Sequence, residues 1–76
     1  MFEVGQIFNK DGIEYCVLDL IEYNNNTYIF MSVEDGNIEY LFYEVKKTNN
    51  GYNLELIIDD ELNNYLFSIE EVKNNE

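Results

Sequence analysis

Of the sixteen acidic side chains, Asp19 has the neighbours that could give it unusual chemistry. In "CVLDLIEY" it stands between Val17 and Ile21, on a face that strict alternation makes largely apolar. A carboxyl withdrawn from water has a raised pKa and can trade a proton near neutrality. The plainer reading is a strand-edge acid bonded to backbone amides. Little else in the chain could assist it. Histidine is absent, so the single cysteine, Cys16, has no imidazole to make it a nucleophile. Cys16 reads as a small core hydrophobe that can form no internal disulfide. A zinc site lacks its usual ligands. The acidic turn "VEDGNIEY" has no D-x-D-x-D-G run and no glutamate at the twelfth position, which excludes an EF-hand. The four glycines sit singly in turns and strand starts, so no phosphate loop is present. The sequence therefore assigns no catalytic residue, no metal and no cofactor. An enzyme or small-molecule binder working through Asp19 is the reading kept against that one.

Charge narrows the partners. Sixteen acidic against four basic residues leave a net charge of −12, which disfavours direct contact with nucleic acid or an anionic membrane. The class it admits is a protein partner with a basic or amphipathic surface. A second reading is a phage-type inhibitor that mimics nucleic acid and occupies a basic groove. Duplex DNA carries one charge per about 1.7 Å of axis, so twelve charges on one face would match roughly 20 Å of duplex. The acids are spread along the whole chain, however, and high net charge also keeps small domains soluble. No apolar run approaches the roughly 18 residues of a membrane span, and "MFEVGQIFNKDG" turns polar too soon for a leader. A soluble, cytoplasmic protein is expected.

The elements that must position these groups are legible from punctuation. "NKDG", "YNNNT", "EDGN" and "TNNG" combine Asn, Asp and Gly, which tolerate positive φ or bond back to their own backbone. Between them lie extended runs at about 2–8, 13–22, 28–33, 38–46 and 52–58, rich in Tyr, Phe, Ile and Val. Short connections favour antiparallel neighbours, so the runs predict a five-stranded meander. In the fifth run Tyr52, Leu54, Leu56 and Ile58 share a face and Ile57 breaks the pattern. In the second, Ile13, Tyr15, Val17 and Ile21 oppose Cys16, Leu18 and Leu20, so both faces need cover. At the carboxyl end Leu62, Leu66, Ile69 and Val72 recur at helical spacing, with Asp59 as N-cap, Asp60 and Glu61 at the positive end of the dipole and Lys73 at the other. The alternative makes 66–72 a sixth strand. The fold class is α+β: one domain, 1–76, with a curved antiparallel sheet of about five strands, closing toward a half-barrel, and one C-terminal helix.

The stretches "DGIEYCVLDLIEYNNNTYIF" and "IEYLFYEVKKTNNGYNLELIIDDELNNYLF" resemble a family of small, acidic, uncharacterised proteins of low-GC Gram-positive bacteria and their phages. The shared pattern is a DG turn, E-Y-x-V-L-D, a second hydrophobic strand, an acidic turn and a closing D-D-E-L helix. The resemblance implies a small cytosolic α+β protein and assigns no site residue.

One question remains for the structure. In "IEYLFYEVKK" Ile38, Tyr40 and Phe42 share one face while Leu41, Tyr43 and Val45 share the other. A helix can cover only one of them. The second must be closed by sheet curvature or by another molecule, a homodimer included. Seven tyrosines interleave with acids, a composition found at protein interfaces. On a helical wheel with Leu62 at zero, Phe67 points near 140°, away from the stripe. Phe67 rimmed by Glu70 and Glu71, with Asp60 and Glu61 at the helix start, is the expected partner-binding set.

Overall fold

The computed structural model describes residues 2–75. Five strands, β1 (Ile7–Lys10), β2 (Ile13–Tyr23), β3 (Asn26–Asp35), β4 (Asn37–Thr48) and β5 (Gly51–Leu56), precede one helix, α1 (Asp60–Asn74). Spatial order follows chain order, and every neighbouring pair is antiparallel. The sheet curls into a half-barrel and the fold is α+β.

The turns are where the Asn, Asp and Gly clusters put them. Asp11 and Gly12 both have positive φ, as do Asn24 and Asn25, so two hairpins turn on two left-handed residues. Between β3 and β4 a single residue, Gly36 (φ 77°), joins the paired Asp35 and Asn37. No atom would crowd a Cβ there, so only the backbone conformation demands glycine. The helix begins on Asp59, whose Oδ1 accepts from the N–H groups of Glu61 (2.9 Å) and Leu62 (3.3 Å). Asn63 Nδ2 donates to the carbonyl of Ile57 at 2.8 Å and ties the first turn back to the end of the sheet. Residues 66–72 are helical throughout, which disposes of the sixth strand.

Two apolar clusters lie on opposite faces. On the concave face Val17, Ile29, Met31 and Val33 are buried, with Phe8, Tyr15, Leu41, Tyr43, Val45 and Leu54 packed around them. On the convex face Leu66 of α1 closes over Ile21, Tyr28 and Phe42, with Phe30, Ile57, Leu62 and Ile69 alongside. The face carrying Leu41, Tyr43 and Val45 is therefore closed by curl. Phe2 adds to it from outside β1, its ring 6.1 Å from Phe8 and 6.2 Å from Tyr52. The first extended run thus yields a strand only from Ile7, while Phe2 serves as a plug.

Three sequence expectations fail for local reasons. Register shifts between Val17 and Asp19, because Leu18 is the extra residue of a β-bulge. That slip moves Leu20 to the concave face with Val17, and Asp19 and Ile21 to the helix side. In the fifth run Ile57, the exception, is the residue packed in the convex cluster, while Ile58 is exposed because the strand has ended. Finally, the buried arc of α1 centres on Leu66 rather than Leu62. That rotation of about 40° leaves Val72 exposed and brings Glu70 inside.

Candidate functional site

Two places on the convex face carry polar or exposed groups that the core does not explain. The first lies where α1 crosses the bulge of β2. Asp19 Oδ1 accepts from the N–H of Leu20 at 2.8 Å, and Asp19 Oδ2 accepts from Lys73 Nζ at 2.8 Å. Glu70, on the same helix face one turn before Lys73, brings its carboxyl into hydrogen-bonding reach of Asp19. Only 8% of Glu70 is exposed, and its Oε2 is buried without a hydrogen-bond partner among the described residues.

These surroundings split the two carboxyls. Burial raises the Glu70 pKa, the hydrogen bond and negative charge of Asp19 raise it further, and Lys73 lowers it too little to compensate; the result is about 7. Burial raises Asp19 as well, but its hydrogen bonds with Glu70, Lys73 and the Leu20 N–H prevail and hold it below the ordinary 3.8. Lys73 is raised by its bond to Asp19. The sequence-based suspicion of a raised acid was right about the place and wrong about the residue. It is Glu70 that gains the proton, and Asp19 that stays ionised beside it. Glu70 was also expected to rim an exposed contact, and its burial rules out that position.

The second place is the part of the convex face that α1 leaves open. Register aligns Ile7, Cys16, Ser32 and Tyr40 side by side across β1 to β4. The next row outward is Asn9, Glu14, Glu34 and Ile38. At about 4.8 Å between strands, each row runs roughly 14 Å. Ile7 is 58% exposed, Ile38 59% and Tyr40 56%, while Glu14 and Glu34 are exposed beside them. Cys16 is half-buried here and belongs to neither apolar cluster, contrary to its expected core place.

Phe67 links this open area to the helix. Its ring meets Phe42 edge-on at 4.8 Å and Phe30 at 5.7 Å, yet 38% of it stays exposed. Phe30 in turn approaches Tyr40 at 6.2 Å. So Phe67 is partly a core residue, although the helical wheel turns it away from the apolar stripe, and partly surface. Glu71 is exposed next to it in sequence. Asp60 and Glu61 are exposed in the first turn. A rise of 1.5 Å per residue puts Glu61 roughly 15 Å along the axis from Glu71, so one compact contact does not unite them.

Elsewhere, a hollow of about 480 Å³ opens at one end of the concave face, among Phe2, Leu20, Thr27, Val45, Lys47 and Tyr52. Asp19 points to the opposite face and does not line it. Among the described residues, no three Cys, Asp or Glu side chains are grouped closely enough to hold a metal ion. No helix among them is long and apolar enough to cross a membrane. Nothing among protein-family models, curated proteins or solved structures matches this chain.

Proposed function

We propose that this chain is a non-enzymatic interaction module whose open convex face holds a basic, amphipathic segment of a protein partner. The observation that carries this reading is the pair of register-aligned rows beside α1. Ile7, Tyr40, Ile38 and the outer edge of Phe67 supply apolar contact, and Glu14, Glu34 and Glu71 supply a negative rim. Interfaces combine an aromatic centre with a polar border in this way. The charge of −12 selects the partner's sign. It also weighs against a second copy of the chain, because two such surfaces would repel. Asp19, the one carboxylate the sequence offered for catalysis, is engaged by Lys73 and Leu20 at a helix–sheet contact.

The test uses a synthetic amphipathic peptide with leucine along one helical face and lysine along the other. Added to isotope-labelled protein, it should shift the amide signals of Ile7, Ser32, Ile38, Tyr40 and Phe67 first, and bind more weakly as salt rises. Tyr40→Ser combined with Ile38→Ser should weaken binding at least about tenfold, as expected for loss of central contacts. Shifts scattered over all acidic residues, or unaffected by the double substitution, would reject the site. Concentration-dependent dimerisation that Tyr40→Ser abolishes would give the face to a second copy instead.

A further inference from the structure

We propose that Glu70, Asp19 and Lys73 form a proton-operated latch that clamps the C-terminal half of α1 to β2 and releases it when Glu70 loses its proton. The inference rests on the contact between helix and sheet, and does not depend on what the open face binds.

The two ends of α1 are attached differently. At the start, the Asp59 cap and the Asn63 bond to the Ile57 carbonyl fix the first turn, and Leu62 and Leu66 pack into the convex cluster. Beyond Leu66 the apolar anchors are the half-buried Ile69 and the inner edge of Phe67 against Phe42 and Phe30, since Val72 is exposed. What remains is polar: the Lys73–Asp19 ion pair at 2.8 Å and Glu70 against Asp19.

With Glu70 protonated, its O–H donates to the Asp19 carboxylate, and Lys73 balances the single negative charge. The cluster is then neutral and bonded. When the Glu70 O–H bond breaks and the proton passes to water, two carboxylates face one ammonium. Among the described residues the Glu70 Oε2 already has no partner, and it is shut away from solvent. An ionised carboxylate in that position is costly, and the cheapest remedy is to let water in by moving the helix. Burial and the neighbouring Asp19 place this event near neutral pH, about 7.

Among the described residues, no other charge intervenes. The charged groups acting on Glu70 are Asp19 from β2 and Lys73 from α1 itself. β3 and β4 set Tyr28, Phe30 and Phe42 beneath this helix face. Of these only Tyr28 carries a polar group, and its hydroxyl accepts from Asn26 at the far end of the strand. Phe67 rides on the same half of the helix, so release draws it away from Phe42 and Phe30.

Hydrogen exchange on the intact chain decides the matter. Between pH 5.5 and 8, after correction for intrinsic rates, protection of amides 66–73 should fall about tenfold or more, one such factor per unit of pKa shift expressed. Amides of β3 should hold steady. In Glu70→Gln, protection should be the same at both pH values. A wild-type profile without pH dependence overturns the latch, and so does an unchanged dependence in Glu70→Gln, which would assign the effect to overall charge. Should that variant fail to fold, the wild-type side chain answers directly. A Glu70 carboxyl carbon signal that titrates below about pH 5, near the range of a free glutamate, is incompatible with the proposal.

Discussion

The concave and convex clusters draw on the same strands but are closed by different means. The concave one is completed within the sheet: Val17, Ile29 and Met31 are fully buried because the strands curl over them, and Phe2 caps one side. The convex one depends on α1, a separate element whose only fully buried side chain is Leu66. Its far end is held by ionisable groups together with Ile69 and the inner edge of Phe67. A small sheet can secure one face through curvature alone. The other face then inherits whatever conditions govern the helix. Stability in this protein should therefore be unequal between its faces.

The comparison breaks most simply at Leu66. Leu66→Ala opens a cavity over Ile21, Tyr28 and Phe42 and should remove about 2–5 kcal/mol. If the faces differ as argued, exchange protection will collapse in α1 well before β3, and the residual sheet will keep its tyrosine packing around Tyr15 and Tyr43. Simultaneous loss of both clusters in thermal unfolding followed residue by residue would show a single cooperative unit instead.

A subtler probe is pH. Glu70 is raised in the fold, so the folded chain holds its proton more tightly than the unfolded one between about 4.5 and 7. Stability contributed by that group is full below 4.5 and is lost as pH rises through 7. Asp19 is depressed, so its contribution is full above 3.8 and is lost as pH falls through its lower folded value. Together they set an optimum near pH 4 to 5, well below neutrality. Chemical denaturation at pH 5 and at pH 8 should differ by on the order of 1–2 kcal/mol in favour of the acid side, after allowance for screening. Glu70→Gln should flatten that difference. A wild-type maximum at neutral pH would remove the cluster from the energetics.

Backbone strain offers a smaller effect that is independent of either face. Gly36→Ala leaves every side-chain contact in place but forces a left-handed φ of 77° on a residue with a Cβ. A loss of about 1 kcal/mol is expected from equilibrium unfolding. Gly36→Asn should recover part of it, since asparagine tolerates that conformation better.

What could be read from the sequence follows the same divide. The turns at Asp11–Gly12 and Asn24–Asn25, the antiparallel order and the Asp59-capped helix were all legible, because each depends on a few adjacent residues. The split of β4 into Phe42 on one face and Leu41, Tyr43 and Val45 on the other was legible as well. The bulge at Leu18 was not, because one inserted residue reverses every later side chain without altering composition. That reversal decides the partners of Asp19. Glu70 was hidden for a related reason: a glutamate near a helix end looks solvent-exposed until the rotation of the helix over the sheet is known. Its signal was the i, i+3 spacing to Lys73 combined with Asp19 on the facing strand, a pairing across 51 residues that no local pattern contains. The rows from Ile7 to Tyr40 likewise exist only through register.

The smallest expected effect separates surface from core within the convex face itself. Tyr40 lies next to Phe30 in the row that α1 does not reach, and more than half of it is exposed. Its aromatic contact at 6.2 Å is peripheral, and β4 keeps its backbone ladder whatever side chain it carries. Tyr40→Ser should thus change unfolding free energy by about 0.5 kcal/mol or less. Phe67→Ser should cost more, because that ring also meets Phe42 at 4.8 Å and shelters a fully buried residue. The contrast between the two substitutions is the measurement, made by denaturant titration under identical conditions. Equal and large losses would extend the convex core to the end of the sheet and leave no open face for a partner. A negligible loss at Tyr40 beside a clear one at Phe67 would place the boundary of the core between them, where the helix stops shielding the strands.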